Sequence, residues 1–159
     1  MARVLKPPTP LVLDARTPSV FLAGSIEMGQ AEDWQSRIEQ ALIDYEVVLL
    51  NPRRDEWDAT WVQSIEHSQF RAQVEWELAG LEQATLVAMY FAPTTKAPIT
   101  LLELGLTAQS GKLVVCCPDG YWRKGNIEVV CRRFDVPLLA SLEELIAELL
   151  QRIRVAVGS

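Results

Sequence analysis

The strongest constraint on the fold is a rhythm in which short, largely apolar runs alternate with longer stretches of helical periodicity. Val20–Ala23, Glu46–Leu50, Thr85–Phe91 and Lys112–Cys117 read as buried strands, with Pro137–Leu139 as a short fifth one. Helical patterns cover about Gln30–Tyr45, Thr60–Gln83 (either continuous or broken near His67–Ser68), Ile99–Gln109, Asn126–Phe134 and Ser141–Arg154. Strands that are apolar throughout have both faces covered, which in an alternating chain means a parallel sheet between two helical layers. The expectation is a single α/β domain of five parallel strands, residues 19–159, preceded by an extended proline-rich leader at residues 1–18.

Gly111 is placed to close the helix before Lys112 by taking the left-handed cap. Ser141 with Glu144 three residues on gives the last helix a capping box. In such sheets ligands bind beyond the carboxyl ends of the strands, near the point where strand order reverses. The loops leaving four strands there are "GSIEMG", "NPRRDEW", "APTTKAP" and "PDGYWRKGN". The site is expected among them.

Composition narrows the chemistry. A net charge of −6 argues against a nucleic-acid polymer, which calls for a basic face. No apolar run approaches a membrane span, and prolines interrupt the start where a signal peptide needs an apolar block, so a cytoplasmic protein is expected. Cys116, Cys117 and Cys131 have no metal or disulfide spacing and read as small core residues. His67 is the only histidine, so acid–base work falls to carboxylates. There is no phosphate loop, zinc motif or dinucleotide fingerprint, and neither a metal nor a cofactor is expected.

Two carboxylates stand in apolar company. In "FRAQVEWELAGLEQA" a stripe of Phe70, Val74, Leu78 and Leu81 includes Glu77, whereas Glu75 falls on the far side of the helix. Glu77 reads either as a boundary residue reaching for water or an arginine, or as a group facing a cleft. In "PITLLELGLTA", Thr100 and Glu103 fit a capping box that would use the glutamate up. Alternatively the helix starts at Pro98, and Glu103 lies a turn inside it, kept ionised by nearby peptide dipoles as a nucleophile requires. Gly105 beside it permits close approach of a ligand or another backbone. An ionised carboxylate that attacks and a second that handles protons are the tools of retaining glycosyl transfer.

"VFLAGSI", "WELAGLEQATLVAMYF", "TLLELGLTAQSGKLVV" and "GYWRKGN", in that order, resemble the nucleoside 2-deoxyribosyltransferase superfamily, above all its 2-deoxyribosyltransferase-like branch. The resemblance spans about residues 19 to 140 and implies a flavodoxin-like (Rossmann-like) sheet and a site shared between subunits of a homo-oligomer. It implies that Glu103, in the E-L-G element, is the nucleophile, and that Glu77, twenty-six residues earlier, faces the base. It implies that the loop at Gly24, Ser25 and Ile26 lines the pocket and that Asn126 reaches the sugar 5′-hydroxyl of a neighbouring subunit. The implied reaction is deoxyribosyl transfer between nucleobases through a glutamyl ester.

One departure bears on substrate. Transferases of this kind carry an aspartate about six residues before the nucleophile, and the related 5′-monophosphate N-hydrolases a serine; this chain has Ala97. Thr94, Thr95 and Thr100 are the candidates to replace them. The acceptor (base or water) and the donor (nucleoside or nucleotide) therefore stay open, and a binding domain that has lost its chemistry is the reading from another class. Arg53 and Arg54 read either as a fork for phosphate or as partners of Asp55 and Glu56. Trp57 reads either as a stacking platform for a base or as packing. Tyr121 and Trp122 suggest a pocket lid or subunit interface.

Overall fold

A computed structural model describes residues 1–26, 33–53 and 60–158. The chain forms β1 (Arg3–Leu5), β2 (Ser19–Gly24), α1 (Trp34–Leu42), β3 (Val48–Leu50), α2 (Ser68–Gln83), β4 (Leu86–Tyr90), α3 (Pro98–Thr107), β5 (Leu113–Cys116), α4 (Lys124–Arg133), β6 (Leu138–Leu139) and α5 (Leu142–Gly158). All strand pairs are parallel, in the order β1-β3-β2-β4-β5-β6. Without β1, the order is that of a flavodoxin-like sheet, with β2 at the reversal point.

Among the described residues the sheet thus has six strands, not five. The extra one comes from the leader: Arg3, Val4 and Leu5 align with Val48, Leu49 and Leu50 at the edge. Three residues followed by prolines give no periodic signal, yet β3 offers them an unpaired edge to complete. Farther along the leader, the Thr9 carbonyl accepts the Trp76 indole N–H at 2.8 Å, and Leu11 and Leu13 pack against the core.

Residue alternation along the strands divides the core in two. Phe21, Ala23, Val87, Met89 and Val115 face α2, α3 and α4 through Trp76, Leu81, Leu104 and Ile127. Val20, Leu22, Leu49, Ala88 and Val114 face α1 and α5 through Trp34, Ile38, Leu145 and Leu149. Helices therefore cover both faces, and the two helices bearing the singled-out glutamates share one of them.

Several element ends differ from the periodicity reading. α1 starts only at Trp34, after Asp33, whose carboxylate accepts the Ser36 amide at 3.2 Å. α2 starts at Ser68, at the break offered near His67–Ser68 and not at Thr60, because His67 caps it: Nδ1 accepts the Phe70 amide at 3.2 Å. α5 begins as expected, with Ser141 Oγ accepting from Glu144 N and the Glu144 carboxylate accepting from Ala140 N. Gly111 takes φ 77°, as a left-handed cap requires. No helix among the described residues is long and apolar enough to cross a membrane.

Candidate active site

The candidate residues gather around the junction of β2 and β4. Ser25 follows β2 and is buried; its amide donates to the Tyr90 carbonyl at 3.0 Å and its Oγ accepts the Ala92 amide at 3.0 Å. The Thr95 hydroxyl lies 2.8 Å from Ser25 Oγ and 2.9 Å from the Ala92 carbonyl, which fixes the loop after β4. At the end of that loop the Lys96 carbonyl accepts from both Tyr121 Oη and Trp122 Nε1. Ala97 then takes a left-handed conformation, φ 47°, and delivers Pro98 into the first position of α3. A left-handed non-glycine residue costs roughly 1–2 kcal/mol, so the surrounding bonds must over-determine it.

This start resolves the position of Glu103. Ala97, not Thr100, caps the helix, so Glu103 lies well inside the first two turns and is not consumed as a capping-box residue. It is 7 % exposed beside Thr100 and Leu104. Its carboxyl is pushed up to about 8, first by burial and then by the charge of Glu77. The expectation that helix dipoles keep it ionised is corrected here: desolvation outweighs a partial charge at the helix end. Glu103 retains its proton more firmly than an ordinary carboxylate.

Glu77 is half-buried on α2. The face it shares is Gln73, Trp76, Gly80 and Leu81; Leu78 is 41 % exposed, so the expected stripe is rotated. Gly80 sets that rotation. A Cβ there would come within 2.6 Å of the Phe21 ring, so the helix packs on β2 through its smallest residue. Glu77 is pushed up to about 7 by burial, opposed by a hydrogen bond from Gln73. Glu75 points outward and pairs with Arg71 at 2.9 Å, as expected. Among the described residues no cation forms an ion pair with Glu77 or Glu103. Two acidic groups that feel each other titrate as a pair, and burial holds both of these well above the ordinary carboxylate range.

The other residues singled out divide into those at the junction and those away from it. Gly24 closes β2, where a Cβ would lie 2.4 Å from the Tyr90 carbonyl and 2.5 Å from Trp34, so glycine is required there by packing. Ile26, half-buried, is the last described residue of the first loop. Thr100 is buried one turn before Glu103. Arg53, mostly buried after β3, donates from Nε to Gln35 Oε1 at 3.2 Å and lies 3.6 Å from Asp33. Arg54 and Trp57 lie outside the described residues. Asn126 is exposed on α4. Tyr121 belongs to the core, packed on Phe91, whereas Trp122 is 52 % exposed between Lys96 and Arg123. All three cysteines are buried, and burial pushes their thiols up to about 11 or 12, which leaves them unreactive. A surface hollow of about 680 Å³ lined by Ile65, Ser68, Arg71 and Glu75 lies on the outer side of α2 and takes in neither site carboxylate.

Sequence reasoning missed three buried polar residues near the site, Gln35, Asn51 and Gln73. Asn51 donates to Glu39 at 2.6 Å and accepts the Arg53 amide at 2.9 Å, which shapes the outlet of β3. A glutamine on an otherwise apolar helix face was the available signal.

Residues 17–121, which include both glutamates, match the profile of the family described as nucleoside 2-deoxyribosyltransferase like. The chain belongs to this family. The matched segment runs from the approach to β2 through the loop after β5 and ends before Asn126. In structure, the chain is similar to a conserved protein from Enterococcus faecalis V583 (TM-score 0.59, 14% identity), covering 86% of this chain and 99% of that one. At that identity the likeness concerns the fold. Comparison with curated proteins gives no match.

Proposed function

We propose that this family member cleaves the N-glycosidic bond of a 2′-deoxynucleoside and transfers the sugar to another nucleobase. Glu103 attacks the anomeric carbon as a carboxylate while the carbon–nitrogen bond breaks. Glu77 gives its proton to the departing base nitrogen, leaving a 2-deoxyribosyl ester on Glu103. An incoming base then attacks the same carbon and returns a proton to Glu77, and Glu103 leaves as carboxylate. The observation that carries this reading is the pair of carboxyl groups on α2 and α3, Glu103 buried and Glu77 half-buried, with no cation paired to either among the described residues. Retaining glycosyl transfer needs one carboxyl ionised and one protonated.

Asn126, exposed on its own chain, fits a role in a neighbouring subunit of a homo-oligomer. Ile99, Leu102 and Leu106 of α3 are each more than half exposed around Gly105, where an added Cβ would meet nothing. Such an apolar face beside the site is suited to receive that subunit.

Incubation with a deoxynucleoside and a different free base tests the proposal. A new nucleoside supports transfer, provided Glu103→Ala abolishes it. Hydrolysis is the second reading, favoured by the Ala97 methyl at the position where transferases carry a sugar-fixing aspartate. Free sugar released at a rate independent of added base decides for it. If Glu103→Ala leaves base release and exchange unchanged, the chain is a nucleoside-binding domain without this chemistry.

A further inference from the structure

The loop after β4 is gripped by the loop after β5 at one atom, the Lys96 carbonyl. Tyr121 Oη and Trp122 Nε1, on adjacent residues, both donate to it, the indole at 3.1 Å. Tyr121 is 3 % exposed and its ring packs on Phe91, centroids 5.0 Å apart, so one donor is rooted in the core. Trp122 is half exposed, but the Lys96 ammonium and the Arg123 guanidinium lie over its ring at 5.4 and 4.4 Å. The two loops meet again at Gly120, where an added Cβ would stand 3.5 Å from Pro93. The residue after Lys96 is Ala97, left-handed at φ 47°, and its carbonyl accepts the Leu101 amide at 3.1 Å. Glu103 lies two residues beyond Leu101 in the same helix.

Resting on the functional reading above, we propose that Tyr121 and Trp122 are positioning residues: by holding the Lys96 carbonyl they keep Ala97 in its left-handed turn and so fix the start of the helix that carries Glu103. The Lys96 carbonyl and the Ala97 nitrogen belong to one planar peptide unit, so orienting the first restricts rotation at the second. A residue with a side chain stays in this region only where its surroundings over-determine it. A shift in where α3 begins is passed along the helix to Glu103. Displacement of a reacting group by about 1 Å costs on the order of 10²-fold in rate.

The test compares the full wild-type chain with Tyr121→Phe/Trp122→Phe, which removes both donors and keeps an aromatic ring at each position. A third chain adds Ala97→Gly to that double variant. Glycine enters the left-handed region without a side-chain clash, and so replaces what the two donors do. Amide hydrogen exchange is read at Leu101, with the buried Val115 amide of β5 as the reference. Leu101 is expected to exchange roughly tenfold faster in the double variant, with Val115 unchanged, and Ala97→Gly is expected to reverse most of that gain. In base exchange, kcat is expected to fall roughly 10²-fold at nearly constant KM, and Ala97→Gly to recover roughly tenfold of it. A Leu101 rate that moves only as Val115 moves overturns the proposal, as does a loss that Ala97→Gly leaves untouched. A raised KM at constant kcat also overturns it, because Trp122 would then be covering the substrate. Should the double variant fail to fold, Trp122→Phe alone, at a half-exposed position, is read in the same way. The exchange measurement does not depend on turnover. Absent base exchange and base release in wild type would defeat the functional reading, whereas turnover with an unmoved Leu101 would remove only the role of Tyr121 and Trp122.

Discussion

Ser25 Oγ accepts the Ala92 amide at 3.0 Å, and this bond ties the end of β2 to the loop that leads into α3. Ser25→Ala leaves that buried amide without its partner, a loss of about 1–3 kcal/mol. We expect a lower Tm and a fall in kcat/KM, because the loop that sets Ala97 and Pro98 also sets Glu103. Differential scanning calorimetry and base-exchange rates on the same variant check both; an unchanged Tm would mean that another group satisfies Ala92.

Glu103 should make stability depend on pH in a definite direction. Its folded-state value of about 8 lies above the ordinary 4.5, so its favourable contribution is complete below about pH 4.5 and is lost as pH rises through 8. Glu103→Gln stays neutral throughout. Its stability relative to wild type is expected to grow between pH 5 and pH 9, by about 3 kcal/mol or more. Urea unfolding at the two pH values measures this, and an equal difference at both would contradict the burial described here.

The exchange rate should follow a bell with limbs near pH 7 and pH 8, since only the singly protonated pair is active. At lower pH both groups hold protons and Glu103 cannot attack; at higher pH Glu77 has none to give. Glu77→Gln is expected to lose roughly 10²–10⁴-fold in rate, and most with bases that leave poorly.

If Asn126 serves a neighbouring subunit, Glu103→Ala and Asn126→Ala chains are each inactive alone, yet their mixture regains activity through hybrid sites carrying neither substitution. Recovery on mixing, read by base exchange, is the expected outcome. Additive inactivity would place Asn126 in its own chain's site or outside it.

The parallel sheet and its two helical layers were legible because unbroken apolar runs such as Val114–Cys117 have no other use. β1 was not, because three residues ahead of a proline carry no period and are specified by the edge that β3 presents. The stripe through Leu78 differs from the face that α2 buries, and Glu77 is half-buried at its margin: Leu78 counts as apolar in any pattern, but Gly80 packs against Phe21. Both singled-out glutamates were visible as charges in apolar surroundings. The proton preference of Glu103 was not, because it depends on the depth of burial and on a carboxylate twenty-six residues away in sequence.

The Thr9 carbonyl that receives the Trp76 indole carries a practical warning. Trp76 immediately precedes Glu77, so a shortened chain begun at Thr17, where the family match begins, would strip β3 of β1, its outer neighbour, and orphan the indole N–H next to the acid. Poor behaviour of such a truncation would report a damaged scaffold and say little about the reaction.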